Sequence, residues 1–417
     1  MDQTGILQNW TLRLILIQTF HNVINNELTS TAQTRHGINP ANRQPNSEVP
    51  VSTQADLDRA VDAAQKAFQQ WSKVPLEERR AAVIAFGDAV DAHKDDFAKL
   101  LTMEQGKPLA QSYHEIGMAV EWLRKIPTLE LSEEIAPALY TGNVIIIKPS
   151  PYTPYCDLKL GELGTRFFPP GVLQVLSGGD DLGPRMTAHP GIGYVSFTGS
   201  SVTGKKVMAS CASTLKRVTL ELGGNDPAII CEDVDIDAIL PKIATLCFYC
   251  SSQICMMIKR LYVHEKIYDQ FRDAFVKYTQ ALKSGDGTEP DVFFGPVQNE
   301  MQYEKVKDLF TTITTDGLNP ALGGKIEPSK GYFITPTIID NPPEKSRVVT
   351  EEPFGPIVPL LKWSDEEDVI ARANDSQMGL GSSVWSKDID RATRMARRLE
   401  SGSAYCNSQS LWLPKKK

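Results

Sequence analysis

From about residue 143 the chain settles into a rhythm that few folds can satisfy. NVIIIK (Asn143 to Lys148), GVLQVL (Gly171 to Leu176), YVSFTG (Tyr194 to Gly199) and RVTLEL (Arg217 to Leu222) are short runs of apolar residues. Helical patterns such as LKLGELGTRFF and GKKVMASCAS separate some of them. Short β-rich runs alternating with helices predict parallel strands in a doubly wound sheet. A second series starts at PAIIC (Pro227 to Cys231) and continues through RLYVH, FGPIVPLL and DVIARAN. Its helix, KIYDQFRDAFVKYTQALK, is expected to bury Ile267, Phe271, Ala274 and Tyr278 on one face. A chain of 417 residues can fill two such cores, and the expected division is 1–224 and 225–417.

Upstream, Leu57, Val61, Ala64, Phe68 and Trp71 fall at steps of four and three, one face of a helix that Ser52 or Thr53 would start. Pro75 opens a second helix. Thr31 to Pro50 is polar with turn signals and reads as loop. The greasiest run, Leu12 to Phe20, is too short for a membrane span and reads as a strand or short buried helix. A net charge of −7 argues against a general nucleic-acid binder, and the closing PKKK reads as a solvated end. Seven cysteines without a regular framework predict reduced thiols and a cytoplasmic location.

Two places carry chemistry. FTGSSVTGKK (Phe197 to Lys206) sets Gly199 and Gly204 between a strand and a helix, where backbone N–H groups can bind phosphate. Lys206 stands where a P-loop needs a magnesium-binding hydroxyl, so an ATPase is disfavoured. No G-x-G-x-x-G follows a strand. FYCSSQICMM (Phe248 to Met257) holds Cys250 and Cys255, with Cys247 just before. Zinc would need a second ligand pair, and His264 is the nearest candidate. A redox C-x-x-C would open a helix after an early strand. A nucleophile remains, and a thiol of pKa ~8.5 then needs help from a base or a positive site. Glu221, at the end of an apolar strand before two glycines, could be a base at the sheet edge; it could equally be a cap or a surface ion pair.

TLELGGNDPA, FYCSSQICMMIKRLYVH, FTGSSVTGKK, GNVIIIKPSPYTP, GYFITPTI and EEPFGPIV resemble, in order, the signature segments of the aldehyde dehydrogenase superfamily, from about residue 20 to about residue 407. The resemblance implies two doubly wound α/β domains, the first nucleotide-binding and the second catalytic. It implies Cys255 as the nucleophile and Glu221 as the general base. It also implies NAD or NADP as cofactor, with Lys148 at the adenosine ribose, Gly199, Ser200 and Gly204 at the pyrophosphate, and Glu352 and Phe354 at the nicotinamide. The implied reaction is oxidation of a small-molecule aldehyde to the acid through a Cys255 thiohemiacetal and thioester, which water activated by Glu221 hydrolyses.

The sequence departs from that pattern in four places. Glu134 passes directly to Ile135, where the family carries ~30 more residues, comparable to a βαβ motif, including an Asn of the oxyanion hole. Loss of one such donor costs ~100- to 1000-fold in rate. The chain ends soon after SGSAYCNSQS, before the family's last strand, so both strands used in subunit pairing are expected to be missing from a family that is oligomeric. Ser252 replaces a glycine, which matters if the backbone there has positive φ, and Cys250 brings a second thiol near Cys255. Pro151 stands where NAD-preferring members carry Glu. These departures leave two alternatives: a defective relative that keeps at most cofactor or partner binding, and a cysteine-dependent, esterase-like hydrolase.

Overall fold

The computed structural model describes residues 18–125 and 135–408. Most of the apolar Leu12–Phe20 run and the PKKK end lie outside them. Phe20 is buried edge-on against Tyr155 at 4.8 Å.

Thr53 starts the helix Gln54–Trp71 through a capping box: Asp56 N–H donates to the Thr53 hydroxyl, and Thr53 N–H donates to the Asp56 carboxylate. Leu57, Val61, Ala64 and Trp71 are buried as expected, but Phe68 lies at the rim, 41% exposed. The helix Leu76–Ala92 follows Pro75. The polar stretch expected to be loop instead holds a hairpin, Thr34–Ile38 paired antiparallel with Pro45–Pro50. Its signal was hidden because these strands are mostly polar and bury only Gly37, Val49 and Pro50, so no apolar alternation marks them.

The four β runs of the first half all form strands, but not one sheet. Glu27–Thr29, Asn22–Ile24, Leu173–Val175 and Ile145–Ile147 make a four-stranded sheet in that order. Tyr194–Thr198 and Arg217–Glu221 pair in parallel as a separate two-stranded unit, joined through the helix Ser201–Ala212. Ile145–Ile147 and Tyr194–Thr198 therefore each have one strand neighbour. The division falls beside the short helix Ile135–Tyr140, which feeds Ile145–Ile147 and begins where the sequence departs from the family pattern.

The second half builds one seven-stranded sheet. Its order is Pro320–Leu322, Thr337–Asp340, Ile357–Trp363, Ile258–His264, Asp226–Ile230, Gly381–Trp385, Ser403–Cys406. All pairings are parallel except the first. Helices cover both faces, so Asp226–Ile230, Ile258–His264 and Gly381–Trp385 are buried at every residue. The helix Tyr268–Gln280 buries Tyr268, Phe271, Phe275 and Thr279, one step round from the expected face. Phe275 stacks on Phe248 at 5.8 Å, which fixes that rotation.

Every strand pairing among the described residues lies on one side or the other of Leu222–Asn225. Among those residues no helix is long and apolar enough to cross a membrane.

Candidate active site around Cys255

The link Leu222–Asn225 leaves the strand that ends at Glu221 and enters the strand that starts at Asp226. Its two glycines are crowded. A Cβ on Gly224 would stand 2.6 Å from the Cys255 carbonyl oxygen, and one on Gly223 would collide with the Glu352 carboxylate. Gly224 N–H donates to Glu352 Oε1 at 3.2 Å. Four consecutive residues thus bring Glu221, Glu352 and the Cys255 loop to one place. Buried Arg260 locks the link from the far side: its guanidinium donates to the Asn225 carbonyl at 2.8 Å and to the Ala373 carbonyl at 2.8 Å.

Cys255 sits on the loop between a short turn, Tyr249–Ser252, and the strand Ile258–His264. The turn is left-handed: Cys250, Ser251 and Ser252 have φ of 51°, 54° and 62°. Such values disfavour L side chains, so the position where the sequence has Ser in place of the family glycine does require positive φ. Side chains hold the turn in place. Gln111 accepts from Cys250 N–H at 3.1 Å, and Ser251 donates to the Gly295 carbonyl at 2.8 Å. Gln253 bridges the Cys250 and Pro296 carbonyls at 3.0 and 3.1 Å.

Burial pushes the Cys255 thiol up; the Lys259 ammonium opposes this, and the carboxylates of Asp226 and Glu352 add to it. Burial likewise raises Glu352, against Lys259 and the Gly224 N–H. Burial carries the Cys250 thiol up to about 12, so it is held as the neutral thiol, and the deeply buried Cys247 is pushed higher still. Neither flanking cysteine has the partial exposure of Cys255. His264, the nearest zinc candidate, packs edge-on against Trp363 at 4.6 Å, and among the described residues no group of three or more His, Cys, Asp or Glu is poised to hold a metal.

The proposed cofactor residues lie in the first half and at the far wall. Gly199 N–H donates to the Glu221 carbonyl at 3.0 Å, which ties the Gly199–Gly204 turn to the strand end at Glu221. Ser200 is exposed and caps the 12-residue helix Ser201–Ala212, accepting from Thr203 N–H at 3.3 Å. Gly204 is buried, and a Cβ there would meet Leu222 at 2.6 Å, so this glycine seats the helix on its strand. An exposed helix N-terminus one residue beyond Gly199 fits an anionic pyrophosphate. Lys148 follows the free-edged strand and donates to the Pro149 carbonyl at 2.9 Å; burial lowers its pKa, while Asp180 opposes that and Arg35 adds to it. Phe354 takes a φ of 49°, with its carbonyl held by Gln302 at 3.3 Å. Lys259, buried beside the thiol, is a site residue that the sequence reading missed; its only signal was a lysine next to an arginine inside an apolar strand.

Known proteins share this sequence pattern and fold. The model of the aldehyde dehydrogenase family matches residues 28–129 and 125–415, and the break between the two pieces lies within ten residues of the departure read at Glu134. The aldehyde dehydrogenase LUC3 of a Fusarium species is 38% identical over 93% of this chain and 90% of its own. The crystal structure of betaine aldehyde dehydrogenase from Staphylococcus aureus in complex with NAD+ superposes with a TM-score of 0.90 at 29% identity, covering 94% of this chain and 90% of that one. An NADP-dependent enzyme from E. coli gives a TM-score of 0.91 at 30% identity, covering 95% and 91%.

Proposed function

Since this chain belongs to the aldehyde dehydrogenase family, we propose that it oxidises an aldehyde to a carboxylic acid with Cys255 as nucleophile and Glu221 as general base. The reading is carried by the Glu221–Gly224 link, which packs the base-bearing strand end and Glu352 against the Cys255 loop. Cys255 Sγ bonds to the aldehyde carbon, giving a thiohemiacetal. A nicotinamide, when bound, would supply the acceptor for the hydride of that carbon, and loss of the hydroxyl proton to solvent leaves the thioester. Glu221 takes a proton from water, the water oxygen attacks the thioester carbon, and the carbon–sulfur bond breaks to return the thiol.

Lys148, Gly199 and Ser200 would hold NAD or NADP along the adenosine ribose and pyrophosphate, with Gly204 letting the helix approach. Glu352 and Phe354 would hold the nicotinamide end. With Pro151 beside Lys148 we assign no preference between the two. Residues 1–224 would bind the cofactor and 225–417 carry the thiol. Seven free thiols suit a reducing compartment such as the cytoplasm.

Aldehyde-dependent NAD(P)H formation tests this reading. Cys255→Ala should lose at least about 1000-fold with an unchanged melting temperature, and Glu221→Gln about 100-fold. Oxidation undiminished in Cys255→Ala would sink the assignment. The divided first sheet favours one second reading, hydrolysis by Cys255 and Glu221 without cofactor. Ester cleavage with a melting temperature indifferent to NAD+ and NADP+ would select it.

A further inference from the structure

The strand Ile258–His264 contains two buried cations in succession, and their tasks differ. Arg260 is a tie between elements, as its bonds to Asn225 and Ala373 show. Lys259 reaches no other element. It has 0% exposure, and its ammonium donates to the carbonyls of Ile254 at 2.7 Å and Met257 at 3.2 Å, with the Cys255 carbonyl at 3.5 Å. The loop that carries the nucleophile is therefore wrapped around a buried positive charge.

An apolar side chain could fill that volume without the cost of burying an ammonium, which is several kcal/mol in general. What an apolar side chain could not do is present charge to a thiol. The groups facing Lys259 are the carboxylates of Asp226 and Glu352 and the thiols of Cys255 and Cys247. Those facing Cys255 are Lys259, Asp226, Glu352 and the N–H of Met256. Burial and both carboxylates work against a thiolate there; Lys259 and the Met256 N–H work for it.

We infer that Lys259 is a positioning residue for the nucleophile: its ammonium clamps the 254–257 loop through the loop's own carbonyls and favours the Cys255 thiolate. The inference rests on Cys255 being the nucleophile, but its test does not use turnover.

The test is the rate of Cys255 alkylation by iodoacetamide in the full chain from about pH 6 to 10, read at that cysteine by mass spectrometry. Lys259→Gln keeps N–H donors for the carbonyls and removes the charge. It should raise the midpoint by about one pH unit and slow alkylation near neutrality about tenfold. Lys259→Arg, which keeps the charge, should hold the midpoint near that of the unaltered chain. A midpoint unmoved in Lys259→Gln overturns the inference. If Lys259→Gln does not melt cooperatively, Lys259→Met, which fills the volume without the charge, decides: it must raise the midpoint while Lys259→Arg does not, and an unchanged or lower value in Lys259→Met overturns it. Alkylation that shifts as expected, together with oxidation that survives Cys255→Ala, would instead leave this electrostatic reading standing and remove the enzymatic one.

Discussion

The strands that flank the two sides of the site are held very differently. Asp226–Ile230 and Ile258–His264 are buried at every residue and each has two strand neighbours. Among the described residues Tyr194–Thr198 and Arg217–Glu221 pair only with each other, and both are exposed at alternate or terminal positions. Tyr194 is 49% exposed, and on the crossover helix Val202 is 67% and Met208 59% exposed. Yet the first pair leads into the thiol, while the second carries Glu221, Gly199 and Ser200. The proposed nucleophile thus adjoins a seven-stranded sheet and the proposed base and phosphate turn a two-stranded one. Burial and strand pairing are concentrated on the side of the proposed nucleophile.

Hydrogen exchange offers the sharpest way to break that contrast. Two paired strands are marginal on their own, and local opening energies range from near zero to the global value. Amides of 194–198 and 217–221 should exchange on the order of 1000-fold faster than those of 226–230 and 258–264. Saturating NAD+ or NADP+ should slow the first set and leave the second unchanged. Equal protection in both pairs without cofactor would show that the fragment is as firmly held as the sheet.

A second difference between the halves is in their response to pH. Glu104 is 1% exposed and caps the helix Tyr155–Gly164, accepting from Tyr155 N–H at 2.8 Å and Cys156 N–H at 3.1 Å. Burial outweighs those bonds and carries its carboxyl from 4.5 to about 7. Asp157, buried in the same region, is carried to about 6 against the pull of Lys148. In both, the folded chain holds the proton more tightly than the unfolded one. Their contribution is therefore full below about pH 4.5 and lost as pH rises through about 7. For Glu104 the loss is on the order of 3 kcal/mol. Urea melts at a series of pH values should show Glu104→Gln losing most of this slope, with the change confined to exchange of first-half amides. A slope unaltered by the substitution would remove Glu104 as its source.

Particular residues show what was legible before the structure and what was not. The strand runs at 145, 173, 194 and 217 were readable because they are short, β-rich and partly apolar segments set between helical patterns. Their division into two sheets was not, because no run states its neighbours. The hairpin at 34–50 escaped because its strands are mostly polar and bury only Gly37, Val49 and Pro50, too few to make an apolar alternation. In the candidate site, Cys255 and Glu221 are proposed from the resemblance, while Lys259 was invisible to it: burial of a charged side chain is a property of packing, and the strand around it reads as hydrophobic either way. Ser252 lies between these cases, since the sequence posed the question of its backbone and the structure answered it.

That answer yields the smallest prediction and the one most local to the thiol. Ser252 has φ of 62°, is fully buried, and its hydroxyl has no hydrogen-bond partner. A non-glycine residue in the left-handed region costs about 1 to 3 kcal/mol, and an unpaired buried hydroxyl adds to that. Glycine would remove both terms and return part of the gain as unfolded-chain entropy. Ser252→Gly should therefore stabilise the chain by about 1 kcal/mol, seen as a rise in urea midpoint with the slope of the transition unchanged. Ser251→Gly should gain less, because glycine there also relieves a φ of 54° but removes a hydroxyl that donates to the Gly295 carbonyl and helps hold the turn. If Ser252→Gly destabilises, the turn is being held by the very side chain that strains it. The rigidity assigned to the thiol side would then rest on that serine rather than on the sheet behind it.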